Sequence, residues 1–195
     1  MRYDRCCDRD FNLEYDMKTK IALAALAVAF SALPAAAHAS EGTVTFNGTI
    51  SGVTCNVSIN SAGPNATVEL PPVSASKLGA KGAVAGGTNF SIALSGCTGG
   101  GKSARAYFEA GPNVDGTDGT LVNRAAANAA TNVAVQLLGM DGLALKAGDS
   151  NQHTGASVNI VNNSATMSYG AQYYAKDAVK AGGVSTSVTY SIDYL

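Results

Sequence analysis

From residue 42 to the C-terminus the chain alternates. Apolar side chains recur at every second position in short runs broken by Gly, Asn and Pro, and no stretch keeps the three-to-four spacing of an amphipathic helix. Residues 43–59 carry Val44, Phe46, Gly48 and Ile50 on one parity, then Val53, Cys55, Val57 and Ile59 on the other. Val68 and Leu70 predict a short strand before Pro71-Pro72. Phe90, Ile92 and Leu94 alternate into Cys97, and residues 106–110 predict a further strand. Residues 133–138, a Met140-Asp141-Gly142 turn and residues 143–145 read as a hairpin. Residues 158–161 and 167–175 complete the internal set, while 125–130 read as a loop. Seven to nine short strands in one domain predict an all-β fold, a sandwich of immunoglobulin type.

The terminal run, from Gly182 to Leu195, is the clearest strand of all. Val184, Val188, Tyr190, Ile192 and Tyr194 share one face, and Ser185, Ser187, Thr189, Ser191 and Asp193 share the other. This is the pattern of a strand packed on one side only. It runs flush to the last residue, so no tail is expected to cover its neighbouring edge. An uncovered edge is what a protein built to receive a strand from another chain would present.

The opposite end carries a different signal. Met17-Lys18-Thr19-Lys20 precedes an apolar run over residues 21–33, then Pro34 and Ala35-Ala36-Ala37-His38-Ala39. A basic start, an apolar stretch well short of the ~20 residues a membrane span needs, and an Ala-x-Ala cleavage pattern predict a signal peptide over 17–39. Residues 1–16, polar and ahead of a second methionine, read as a start-site artefact, and Ser40 as the first mature residue. The remainder divides into a short segment, 40–52, and one domain, 53–195.

Composition then removes several classes. Past residue 39 there are nine acidic and eight basic side chains and no Trp, a near-neutral balance that argues against nucleic acid and anionic membrane surfaces as partners. Two of the four cysteines leave with the leader. Cys55 and Cys97, forty-two positions apart in an exported chain, are expected to form one disulfide. On the chain-entropy account such a bond contributes ~4 kcal/mol.

Gly96-Cys97-Thr98-Gly99-Gly100-Gly101-Lys102-Ser103 matches the phosphate-loop pattern, but that loop works by leading into a helix whose amides face the phosphate, and here a strand-like run follows. No nucleotide is expected. His153 is the one histidine of the mature chain, so neither a His/Cys metal set nor a serine–histidine pair near a nucleophile elbow can be assembled. The chain is read as no enzyme, without cofactor or metal.

These residues resemble the chaperone–usher fimbrial subunits, the type 1 and P pilins. The resemblance covers residues 40–195 and rests on several spacings. Gly42-Thr43-Val44-Thr45-Phe46-Asn47-Gly48-Thr49-Ile50 is followed soon by Cys55; Phe90-x-Ile92-x-Leu94-x-x-Cys97 comes next; then residues 133–142, Tyr173-Tyr174-Ala175, a glycine fourteenth from the end at Gly182, and a penultimate aromatic, Tyr194.

The resemblance implies an immunoglobulin-like sandwich lacking its last strand, completed by a donor strand from a neighbouring subunit. The donor face would be Val44, Phe46, Gly48 and Ile50, and the receiving groove would lie along Gly182, Val184, Val188, Tyr190, Ile192 and Tyr194. It further implies a periplasmic chaperone and an outer-membrane usher as partners, identical or related subunits as neighbours, and a surface fimbrium used in adhesion. A tip adhesin or adaptor with its own receptor site is the alternative, and a secreted β-sandwich enzyme a more distant one.

Overall fold

The computed structural model describes residues 42–48 and 50–195. The expected leader, the cleavage site and Ser40 lie outside the described residues. Contacts separate a unit ending at Gly48 from the body that follows. No strand is assigned over 42–48, where Val44 and Phe46 are exposed, and Ile50 is exposed in the body.

The body holds two β-sheets. Its spine is the antiparallel pair β2 (Val84–Thr98) and β8 (Ala165–Lys180), in register through Phe90↔Tyr169, Ile92↔Met167 and Leu94↔Ala165. Period-2 patterning explains the pairing: Phe90, Ile92 and Leu94 are buried while Ser91 and Ala93 between them are only partly covered. β1 (Thr54–Ile59) flanks β2. β5 (Thr131–Leu138) flanks β8 and in turn carries the short β4 (Leu121–Val122) and β6 (Ala144–Leu145). The β5–β6 pair is the expected hairpin. The second sheet is β7 (Val158–Asn159), β3 (Ser103–Phe108) and β9 (Tyr190–Tyr194), in that order.

The core lies between the sheets. Ile92, Leu94 and Met167 are essentially fully buried, each contributing about 1.5–3 kcal/mol. Phe108 of β3 meets the edge of Tyr169 of β8 at 5.2 Å and of Phe90 of β2 at 6.3 Å between ring centroids. The Ala106 N–H donates to the Tyr169 hydroxyl at 2.9 Å, giving the phenol a partner across the core. Cys55 and Cys97 are disulfide-bonded across the β1–β2 pair with their Cα atoms 4.1 Å apart, as expected.

The phosphate-loop look-alike is a turn carrying the chain from β2 in one sheet to β3 in the other. No helix follows it. The Lys102 and Ser103 amides both donate to the Leu195 carbonyl, at 2.9 and 3.2 Å, which leaves neither aimed at an anion.

Several predicted strands are shorter than their patterns, and two of these bear on function. Residues 68–70 form no strand, and of the terminal run only Tyr190–Tyr194 joins a ladder. Both keep the alternation in burial. What each lacks is a continuous ladder with a neighbouring strand, and a strand exists only as part of a pair.

Candidate functional site

The two unpaired runs face each other. Residues 64–70 and 184–190 form the sides of a groove of about 540 Å³. Along one side Ala66, Val68 and Leu70 are half-buried while Thr67 and Glu69 are exposed. Along the other, Val184, Thr186, Val188 and Tyr190 are half-buried while Ser185, Ser187 and Thr189 are exposed. Core side chains supply the floor, among them Phe90, Phe108, Leu121, Val135 and Leu137.

The backbone of these sides is as telling as the side chains. The carbonyl of Ser185 accepts from the Arg124 N–H, that of Thr189 from the Glu109 N–H, and that of Ser187 from the Asn113 side chain. Odd-numbered residues thus tie the run to the body on one side. Backbone groups of even-numbered residues point the other way in an extended chain. Thr186 and Val188 make no backbone hydrogen bond among the described residues, and neither do residues 66–70. Buried backbone donors and acceptors are nearly always paired. The groove therefore presents two rows of groups that a single inserted strand would satisfy at once.

Its ends are defined. The Tyr190 hydroxyl donates to the Pro64 carbonyl at 2.9 Å, spanning from one side to the other. Beyond it, Ile192 pairs with Ala106 and packs on the core, and Tyr194 pairs with Ala104. Neither lines the groove. At the opposite end the groove adjoins a recess of about 350 Å³ lined by Val73, Leu78, Val133, Val179 and Gly182, with Leu70, Tyr173 and Val184 common to both. Gly182 belongs to this recess rather than to the main groove. A Cβ there would collide with the backbone of Asn128, Ala129 and Ala130, so only glycine permits the approach.

The site is electrostatically quiet. Glu69 is the one carboxylate lining it. Burial pushes the Tyr190 phenol above its usual range; burial, assisted by Glu69, does the same to Tyr173. Burial also raises Tyr194, a hydrogen bond from the Cys55 backbone opposing it. Among the described residues no group of three or more His, Cys, Asp or Glu could hold a metal. His153 lies elsewhere, stacked on Tyr107 at 4.4 Å with Nδ1 2.6 Å from Asp193 Oδ2. Asp193 in turn accepts from Arg105, so the three form a surface clasp on β3 and β9.

Of the residues expected along the groove, Val184, Val188 and Tyr190 line it. Sequence reasoning missed Thr186, whose hydroxyl is the one buried side-chain polar atom without a hydrogen-bond partner among the described residues. Its parity placed it between Val184 and Val188, but a polar residue does not announce itself in an apolar count. It also missed the 64–70 side as a groove wall: Val68 and Leu70 alternate with Thr67 and Glu69, but nothing local says what they face.

A two-sheet sandwich one strand short, with an apolar cleft where that strand belongs, is an incomplete immunoglobulin-like fold. Residues 70–195 match the family described as type-1 fimbrial protein, A. The major fimbrial subunit SMF-1 of Stenotrophomonas maltophilia is 43% identical over 169 residues, covering 84% of this chain and 98% of its own. The serotype 2 fimbrial subunit of Bordetella pertussis is 33% identical over 199 residues, covering 87% of this chain and 94% of its own. The fold is similar to that of the P pilus rod subunit PapA, with a TM-score of 0.56 over 72% of this chain and 99% of that one, at 22% identity. The chain belongs to the type-1 fimbrial protein family, whose members are structural subunits rather than enzymes.

Proposed function

We propose that this subunit polymerises head to tail, residues 44–50 of one copy filling the groove of the next. The observation that carries this reading is the pair of alternately buried sides at 64–70 and 184–190, each with a row of backbone groups that has no partner among the described residues. An occupant must be extended, must offer backbone hydrogen bonds along both edges, and must place apolar side chains at alternate positions. The run Val44, Phe46, Gly48, Ile50 supports this reading: it exposes apolar side chains at alternate positions, and no strand is assigned over 42–48. Lengths agree: 44–50 and 184–190 each span ~20 Å as extended chain. Burying Val44, Phe46 and Ile50 contributes about 1.5–3 kcal/mol each before ordering costs, and each ladder bond ~0.5–1.5 kcal/mol.

The same reading covers the export route. The 17–39 leader directs the chain to the periplasm, a chaperone covers the groove until an usher passes the subunit on, and the product is a surface fimbrium that serves adhesion. Residues 40–52 act as the donor segment and 53–195 as the receiving domain.

Phe46→Ser tests the proposal. The variant is expected to reach the periplasm folded and disulfide-bonded while cells show no fibres in electron micrographs. Fibres in wild-type number from Phe46→Ser subunits would overturn it.

A further inference from the structure

Asn47-Gly48 is the sole Asn-Gly pair in the sequence. Both residues are exposed, neither belongs to a strand, and no heavy atom lies within 4 Å of where a Cβ on Gly48 would stand. The Asn47 side chain makes no hydrogen bond among the described residues. The three Asp-Gly pairs, which share this backbone chemistry, are held in place. Asp115 and Asp118 each accept from a threonine two residues on and from Lys176. Asp141 Oδ1 accepts from the Leu143 N–H at 3.0 Å. Only at Asn47 are the side-chain carbonyl carbon and the following amide nitrogen both unrestrained, with no side chain on the next residue to obstruct their meeting.

We infer that Asn47-Gly48 is a deamidation site that retires unassembled subunits. The Gly48 amide nitrogen, losing its proton to solvent base, bonds to Asn47 Cγ. The Cγ–Nδ2 bond breaks, the side-chain nitrogen leaves as ammonia, and a succinimide remains. Water then opens this ring. Cleavage at Cγ leaves aspartate at 47, and cleavage at the Asn47 main-chain carbonyl leaves isoaspartate, with the chain rerouted through Cβ and Cγ.

The consequence rests on the donor reading above. Isoaspartate inserts one extra carbon into the backbone between Phe46 and Gly48. Ile50 then no longer keeps step with Val44 and Phe46, and the ladder bonds beyond it fall out of register. Either product also places a carboxylate on the strand. Once 44–50 is paired on both edges in a fibre, its amides are bonded and its dihedrals held extended, so the ring cannot close. The chemistry thus discriminates by assembly state.

The test compares purified monomeric wild-type subunits with assembled fibres, both incubated at mildly alkaline pH and followed by peptide mass spectrometry with isoaspartate detection. Deamidation is expected at Asn47 in monomers and at least tenfold slower in fibres. Aged wild-type monomers are expected to lose assembly competence in proportion to their isoaspartate content. Asn47→Gln, which keeps the amide but disfavours the larger ring, should retain competence on ageing. Absence of Asn47 deamidation in monomers, or equal rates in monomers and fibres, would overturn the inference. So would aged, isoaspartate-bearing subunits that enter fibres like fresh ones. In that last case fresh Phe46→Ser subunits tell the two readings apart: if they still fail to assemble the donor role stands, and if they assemble it falls as well.

Discussion

On the proposed reading, Gly48 and Thr186 show how much single positions decide where one copy covers the next. Gly48 is the one member of the 44, 46, 48, 50 face without a side chain; on the donor reading it would sit inside a strand, where a glycine lets another backbone come close. Over-packing such a contact costs ~1–3 kcal/mol. Gly48→Leu is therefore expected to leave the sandwich and its disulfide intact and to block incorporation, read as periplasmic subunit without surface fibres; wild-type fibre formation would sink the assignment. Thr186 poses the reverse case, since its hydroxyl is already buried and unpaired in the free subunit. An orphaned hydroxyl costs about 1–3 kcal/mol. Thr186→Val should raise the urea midpoint of the monomer, and an unchanged midpoint would mean that the hydroxyl is hydrated there.

At the scale of elements, the loop between β3 and β4 is clipped to β8 by charge. Lys176 Nζ donates to Asp115 Oδ2 at 2.8 Å and to Asp118 Oδ2 at 2.6 Å, while the other oxygen of each carboxylate accepts from Thr117 and Thr120. The bond from Lys176 and those from Thr117 hold Asp115 far below the usual carboxylate range. Burial works in the opposite direction at Asp118, but its bonds to Lys176 and Thr120 outweigh it and its carboxyl is also lowered. A carboxylate lowered by folding stabilises the native state above its unfolded-state pKa, and that contribution is lost as pH falls toward its folded value. Lys176 is the mirror case: burial would lower it, its two carboxylate bonds raise it more, and its contribution is lost only as pH rises past the ordinary lysine range. Lys176→Met should thus flatten the acid limb of a denaturation-versus-pH profile. An acid limb as steep as wild type would show that the clip carries no stability.

For the whole molecule, the proposed donor-strand reading makes stability a property of the assembly. The isolated subunit exposes the edges of its groove and the apolar face of 44–50, so its margin is expected to lie at the low end for a domain of this size. A synthetic peptide of residues 42–52 should raise the monomer's melting temperature, contributing ~2.7 kcal/mol when present at a hundred times its Kd. The same peptide carrying Phe46→Ser should not. Equal effects from both peptides would mean that binding is non-specific.

The strands of the finished sandwich were legible because burial on one face imposes period 2 on any sequence that satisfies it: β2, β5 and β8 stand where Phe90–Leu94, 133–138 and 167–175 alternate, each reaching further than its apolar core because neighbouring ladders carry polar residues along. The disulfide was legible too, from two cysteines in a chain whose leader pattern predicts export. The groove was legible on one side only. Val184, Val188 and Tyr190 alternate openly, whereas 64–70 sits among Pro, Asn, Thr and Glu and owes its role to what lies across from it. Only the tertiary structure separated Ile192 and Tyr194 from the groove, which ends where the Tyr190 hydroxyl reaches the Pro64 carbonyl, and gave Gly182 its reason in the backbone of 128–130. Periodicity records which face of a residue is covered. Whether the covering partner is a strand of the same chain, the core, or nothing at all is decided by pairing between distant segments, and no local pattern encodes that.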